Sequence, residues 1–266
     1  MKTVVITGST RGIGFGMARE FLRRGHQVVI SGRSSVSVAP AVTRLASEFD
    51  IGHLLGHPCD VRDAGQVQAL WDAAVARFGR IDIWINNAAL SNPRAPFHEQ
   101  SIERIDAIVD ANLRGVMYAS RVAIQGMLAQ GGGFLYNMEG LGSNGMITPG
   151  LIPYGSTKAG LSYLTAGLIK EMQDTAVKVG FLSPGMVVTD LLTEGYSAEE
   201  LTQAKRIFNI LADRVETVAP FLVERILAND KHGARIAWLT TPKIAWRFMT
   251  SPFNKRDVFS ESESSP

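Results

Sequence analysis

Tyr154 and Lys158 stand four residues apart in a stretch with helical patterning, so both side chains project from one face of a helix. A free phenol has a pKa of about 10, too high for ready proton exchange near neutral pH. An ammonium beside it stabilises the phenolate and brings that pKa down. The pair could then exchange a proton with a carbonyl or alcohol oxygen. Tyr-x-x-x-Lys is common by chance, so its meaning depends on what surrounds it.

A second group of residues, at the start of the chain, could hold phosphate. Thr7 is followed by Gly8-Ser9-Thr10-Arg11-Gly12-Ile13-Gly14, between a β-branched run and a helical stretch. Gly8 permits a tight turn, and Gly12 and Gly14 allow a ligand and the next helix to approach the backbone closely. The free N–H groups at the helix N-terminus can hold a pyrophosphate. An ordinary glycine-rich turn is the bland alternative; the strand-loop-helix context favours a dinucleotide loop. The end of the second strand reads Ser31-Gly32-Arg33-Ser34 and carries no acid. An acid there would accept from a ribose 2′-OH, whereas Arg33 can fork onto a 2′-phosphate. Arg11 is expected to face the same region, and the two guanidiniums point to NADP(H). A cationic nicotinamide near Tyr154 would add to the pull on its phenol.

Cys59-Asp60-Val61 ends the third strand, where an adenine would lie. Asp60 could accept from the adenine amine, or cap the helix that begins near Asp63; both readings stand. Asn86-Asn87-Ala88-Ala89 ends the fourth strand. Small residues there let the chain pass against a cofactor, and the amides can tie neighbouring strands.

These groups need a scaffold. The pattern predicts strands at 3–7, 28–31, 53–57, 81–86, 134–137, 177–182 and 234–240. Helices are expected at 13–24, 39–49, 64–78, about 102–128 and 151–172. Alternation of this kind implies crossover connections and a parallel sheet covered on both faces. The expected fold is α/β: a single Rossmann-type doubly wound domain, residues 1–260, with a seven-stranded parallel sheet. Residues 261–266 are Ser/Glu-rich and expected to fray.

Composition narrows the class. The 27 Lys+Arg against 25 Asp+Glu leave a formal charge of +2, which supplies no basic field for nucleic acid. The lone Cys59 cannot form an internal disulfide or half a thiolate metal site, and no metal site is expected. It fits a reducing compartment, either the cytoplasm or an organelle stroma reached with a transit peptide since removed. No run approaches the ~18 apolar residues of a membrane span, and the N-terminus shows no signal-peptide core of ~7–15 apolar residues.

Taken together, these motifs resemble the short-chain dehydrogenase/reductase superfamily over about residues 2–240. The matching pieces are Thr-Gly-x-x-x-Gly-x-Gly at 7–14, Asp60-Val61, Asn86-Asn87-Ala88-Ala89, Asn112, Tyr154-x-x-x-Lys158 and Ser183-Pro184-Gly185. The resemblance implies a Tyr/Lys/Ser/Asn tetrad. Tyr154 would protonate the carbonyl oxygen, Lys158 would hold the ribose hydroxyls and tune Tyr154, and Asn112 would anchor a water in the proton relay. For Asn112 the alternative is a satisfied mid-helix amide. Pro184, Gly185, Val187 and Thr189 would border the nicotinamide, and a homodimer or homotetramer is implied. The serine departs from the family pattern. In place of an Asn-x-Ser-Ser strand end the chain has Asn137-Met138-Glu139-Gly140, with Ser143 eleven residues before Tyr154. Ser143 is assigned as the donor to the substrate oxygen, with a plain loop role as the competing view. Glu139 is either a buried acid near the site or, the more ordinary outcome, an exposed side chain on a rearranged loop.

A narrower resemblance, to the chlorophyll b reductases, rests on 136–143, Tyr154-Gly155-Ser156-Thr157-Lys158, 182–192, Phe208-Asn209-Ile210 and 238–242. It implies NADPH reduction of the 7-formyl group of chlorophyll b to a hydroxymethyl group. The alternatives are another bulky apolar carbonyl or alcohol, or a non-catalytic NADP(H)-binding redox regulator. Residues 190–212 are expected to form the substrate lid. The C-terminal extension 241–260 is rich in apolar rings, with Trp246, Phe248, Phe253 and Phe259 among Lys243, Arg247, Lys255 and Arg256. Those rings could cap an apolar substrate or rest on a membrane surface. The bland reading, that they pack on the last strand or at a subunit interface, is favoured.

Overall fold

The computed structural model describes residues 1–254 and 256–260. The expected fray at 261–266, and Lys255, lie outside the described residues. The chain runs β1 (Thr3–Ile6), α1 (Gly12–Arg23), β2 (Gln27–Gly32), α2 (Ser35–Ala46), β3 (Leu54–Pro58), α3 (Ala64–Phe78) and β4 (Ile83–Asn86). It continues with α4 (Ile102–Val109), a π-helical turn (Asp110–Arg114), α5 (Gly115–Ala129), β5 (Gly133–Met138), α6 (Ile152–Glu171) and β6 (Val177–Ser183). The last elements are α7 (Asp190–Thr193), α8 (Ala198–Leu211), α9 (Val215–Ala228), β7 (Arg235–Ala237) and α10 (Thr241–Thr250).

The seven strands form one parallel sheet in the order β3-β2-β1-β4-β5-β6-β7. Strands buried on both faces read as continuous apolar runs, and Val4-Val5-Ile6 and Ile83-Trp84-Ile85 are fully buried. One face packs on α1, α2 and α9 through Phe15, Leu45 and Leu222. The other packs on α3, α5 and α6 through Leu70, Trp71, Met127 and Leu168. The winding direction reverses between β1 and β4, and the crevice at the carboxyl ends of such strands is where ligands bind in this architecture.

Three elements differ from the sequence expectation. The helix expected from 39 begins at Ser35, behind Ser34 at its N-cap, and carries Pro40 within it. The helix expected over 102–128 is split by the π-helical turn, which places Asn112 in a local widening of the backbone. The last strand is three residues long; the Trp238 N–H still bonds the Ser183 carbonyl at 2.9 Å, and its ring N–H donates to Asp213 at 2.6 Å.

The C-terminal rings divide. Trp238 packs edge-on against Phe221, and Phe259 rests on Phe208. Trp246, Met249 and Phe253 on and beyond α10 stay exposed. Among the described residues no helix is long and apolar enough to cross a membrane, and no cluster of metal-ligating side chains exists.

Candidate active site

The loop between β1 and α1 forms a cradle. Gly8 and Gly12 have φ of 62° and 58°, a region that side-chain-bearing residues rarely adopt. A β-carbon at Gly8 would lie 2.6 Å from the Ala88 α-carbon, and one at Gly14 would lie 2.5 Å from Asn87 Nδ2. Close packing therefore selects both glycines. Asn87 donates through Nδ2 to the Thr7 and Gly8 carbonyls, both at 2.9 Å, and the Thr7 hydroxyl accepts from the Asn87 and Ala88 N–H groups. Ser9 is used differently from expectation. It is fully buried, its hydroxyl donates to the Ile6 carbonyl at 2.6 Å and accepts from the Ser31 N–H at 3.0 Å, and it clamps β1 to β2.

Beside the cradle lies a cleft of about 700 Å³ lined by Thr10, Gly12, Ile13, Arg33, Asp60, Val61, Asn87, Ala88 and Thr189, among others. The start of α1 carries no side-chain cap and no acid in its first turn, so its N–H groups remain available to an anion. Arg33 is exposed at the rim and makes no ion pair among the described residues. Arg11 also reaches the rim, but its guanidinium pairs with Asp190 of α7 at 2.9 Å. Ser34 stays at the α2 N-cap, and Ser37 lines the cleft instead. Asp60 pairs with Arg62 at 2.6 Å. Hydrogen bonds from Arg62 hold its carboxyl below the ordinary range, against the opposing effect of burial. The helix-capping alternative for Asp60 is corrected: Asp63 caps α3 by accepting from Gly65 and Gln66. The donor set and the cradle fit the phosphates of a dinucleotide.

The carboxyl edge of β4 and β5 positions the helix that carries the chemistry. Asn86 Nδ2 donates to Asn137 Oδ1 at 2.8 Å and to Ser120 Oγ at 3.0 Å. Asn137 in turn donates to Thr165 of α6 at 2.9 Å. At the other end of α6, Asn92 accepts from the Tyr154 N–H at 3.2 Å and donates to the Gly150 carbonyl at 2.7 Å. Asn92 was missed from sequence; no motif surrounds it.

Tyr154 is 8% exposed and Lys158 3%. Lys158 Nζ donates to the Met138 carbonyl, at the end of β5, at 3.0 Å. It lies 5.8 Å from the centre of the Tyr154 ring. Burial lowers Lys158 to about 8, opposed by the charge of Glu139. Burial raises the Tyr154 phenol to about 12. The expected depression of the phenol by its lysine is therefore not present in the chain alone, because the ammonium is directed at a carbonyl and burial dominates.

Glu139 and Gly140 occupy the places where an Asn-x-Ser-Ser strand end has hydroxyls. A β-carbon at Gly140 would collide with Tyr154 Oη and lie 3.1 Å from Lys158 Cε. Ser143 accepts from the Gly140 N–H at 3.1 Å and donates to the Lys158 carbonyl at 3.3 Å. Its hydroxyl thus serves the loop that presses Gly140 on the phenol, as in the competing view above. The exposed reading of Glu139 is overturned: the residue is 5% exposed and 3.1 Å from Arg235.

Asn112 is fully buried. Its amide accepts from the Leu90 N–H and donates to the Leu90 carbonyl, both at 2.8 Å, and donates to Thr157 at 3.1 Å. That side chain is satisfied, and it locks the β4 exit to the turn of α6 that lies between Tyr154 and Lys158.

After β6, Pro184 is buried and Gly185 turns with φ 72°, its missing side chain facing Leu239. Val187 bridges to Asp213, and Thr189 lies 3.3 Å from where a Gly12 β-carbon would be. Residues 190–212 comprise α7 and α8. Glu194 pairs with Arg104 at 2.7 Å, and Tyr196 stacks under Arg94. Asp213 accepts from Trp238, Arg247 and Arg256 and so ties the stretch just after α8 to the C-terminal part of the chain.

A seven-stranded parallel sheet with a glycine cradle at one end of its crevice and a tyrosine–lysine helix at the other defines a nucleotide-linked oxidoreductase fold. The short chain dehydrogenase family model matches residues 2–200, and the chain belongs to that family. A probable chlorophyll(ide) b reductase of Arabidopsis thaliana is 40% identical over 94% of the chain and 53% of its own length. A chlorophyll(ide) b reductase of Oryza sativa subsp. japonica is 45% identical over 85% of the chain and 66% of its own length. The chain thus spans about half to two thirds of these curated relatives, both described as chloroplastic. Among solved structures, a gluconate 5-dehydrogenase from Burkholderia cenocepacia J2315 in complex with NADP and tartrate superimposes with a TM-score of 0.74 at 26% identity. That match covers 89% of this chain and 93% of the other. A 3-ketoacyl-(acyl-carrier-protein) reductase from Brucella melitensis complexed with NADH gives 0.75 at 25% identity, covering 89% and 96%.

Proposed function

We propose that the chain is an NADPH-dependent reductase that converts the 7-formyl group of chlorophyll b to 7-hydroxymethyl. The observation that carries this reading is the 40–45% identity to plant chlorophyll(ide) b reductases over nearly the whole chain. The Tyr154–Lys158 pair at the sheet's carboxyl edge agrees with it. Arg33, beside the cradle with no ion pair among the described residues and no acid on the β2 end, supports NADPH over NADH.

A nicotinamide, when bound, would supply the hydride. Gly8, Gly12 and the open N-terminus of α1 would hold the pyrophosphate, Arg33 the 2′-phosphate, and Thr189 the nicotinamide end. Tyr154 passes its phenolic proton to the formyl oxygen, so an aldehyde gains one hydride and one proton and becomes an alcohol. Burial keeps the phenol protonated through neutral pH, the state a reducing direction requires. Lys158 stabilises the phenolate left behind and would hold the ribose. Asn112 and Asn92 keep the helix in place, and residues 190–212 close over the substrate.

The test is NADPH oxidation with chlorophyll b beside a panel of bulky apolar aldehydes and ketones, with product mass measured. Turnover of chlorophyll b with a gain of two hydrogens is expected. Turnover confined to another panel member favours the wider carbonyl reading, and tight NADPH binding without turnover of any carbonyl favours a redox regulator. The chloroplastic relatives support the stroma over the cytoplasm as the site of action. A homodimer or homotetramer is the expected assembly, readable by light scattering.

A further inference from the structure

Lys158 is buried, and a buried ammonium is unfavourable unless an opposite charge or strong acceptors face it. Its one hydrogen-bond acceptor among the described residues is the neutral Met138 carbonyl. The groups facing this corner come from four elements. Tyr154 shares α6 with Lys158, and Glu139 follows β5. Ser183 ends β6, and Arg235 begins β7. Glu139 is the acid among them, and the backbone places it against Lys158: Met138 before it accepts from Nζ at 3.0 Å, and a β-carbon at Gly140 after it would lie 3.1 Å from Lys158 Cε. Its charge favours the ammonium.

Glu139 is a buried acid whose one ion-pair partner among the described residues is Arg235. Its side chain is 4% exposed, and Oε1 lies 3.1 Å from Arg235 Nη2 without the alignment of a hydrogen bond. A buried carboxylate oxygen left without an aligned donor is unfavourable. Burial raises its pKa, while Arg235, Ser183 and Lys158 oppose that rise. The backbone fixes the placement, since the Glu139 N–H donates to the Leu182 carbonyl at 2.7 Å and continues the β5–β6 ladder for one more residue.

We propose that Glu139, clamped by Arg235, is the buried counter-charge that holds Lys158 as an ammonium aimed at the reaction corner. Glu139 is a positioning residue acting through Lys158, and Arg235, half-exposed at the sheet's end, keeps it ionised. The inference rests on Lys158 being the working amine of the proposed function.

The experiment reads Lys158 directly, without substrate. Protein carrying 13Cε-lysine is titrated by NMR, with the Lys158 resonance assigned by its loss in K158R. The wild-type midpoint is expected near 8. In E139Q it should fall by about one unit or more, as loss of a nearby opposite charge requires, and E139D should restore most of the shift. An unmoved midpoint in folded E139Q overturns the proposal. Should E139Q fail to fold, R235Q supplies the second reading. Freed from its clamp, Glu139 should ionise at higher pH, moving the acid-side inflection of the Lys158 shift upward; no movement counts against the proposal. Where chlorophyll b is turned over, the alkaline limb of kcat in E139Q should move down by the same amount as the NMR midpoint. Absence of turnover in the wild type sinks the function reading and leaves the NMR result standing on its own.

Discussion

Gly140 and Tyr154 are in direct apposition: the glycine α-carbon faces the phenol so closely that a β-carbon would overlap Oη. The loop is held there by Ser143, which bonds both Gly140 and the Lys158 carbonyl. G140A should therefore push the phenol out of line. A misplacement of about 1 Å costs roughly a hundredfold in rate, so kcat should fall by about that factor. The Kd for NADPH, followed by fluorescence, should change far less than kcat, since Gly140 does not line the cleft beside the phosphate cradle.

Y154F keeps the ring and removes the proton. Loss of a positioned general acid lowers kcat by roughly 10²–10⁴. Steady-state NADPH oxidation should show that loss while NADPH binding is nearly unchanged. Turnover that survives the substitution would refute the proton-donor role.

R33E places an acid on the β2 end where the chain has none. NADPH affinity should drop by about tenfold or more, the effect of losing a charge-assisted fork and gaining repulsion. NADH affinity should change far less. Equal effects on the two, measured by titration, would argue that Arg33 is merely solvated.

Asp213 binds the chain's C-terminal part to the loop after β6. Burial pushes its carboxyl up, but hydrogen bonds from Arg247 and Trp238 and the charges of Arg247 and Arg256 outweigh it, so the carboxyl lies below its ordinary value. A depressed folded pKa means the carboxylate's contribution is complete above the unfolded value of about 3.9 and is lost as pH falls through the folded value. Stability should thus decline in acid below about pH 4 through this group. D213N should cost about 2–3 kcal/mol in urea unfolding at pH 7, below the range for a wholly buried pair because both arginines keep some solvent contact. In D213N the acid dependence below about pH 4 should flatten.

Much of the molecule could be read from the chain alone. Short apolar runs alternating with amphipathic stretches required a doubly wound parallel sheet, because strands buried on both faces and joined by crossovers have few other solutions. The glycines at 8, 12 and 14 follow from backbone geometry, and Tyr154 and Lys158 share a helix face because 3.6 residues make a turn. Local rules govern each of these, and local rules are visible in sequence. What lay beyond reach depends on residues distant in the chain. Arg11 meets Asp190, Asn112 meets Leu90 and Thr157, and Asp213 gathers Trp238, Arg247 and Arg256 only when the sheet is assembled. Glu139 could be given either an exposed or a buried place from sequence. Its burial was decided by β6 and β7, which arrive some forty and ninety-five residues later to cover it and set Arg235 at its side. A carboxylate's charge and partners depend on what surrounds it in space, and no spacing along the chain carries that information.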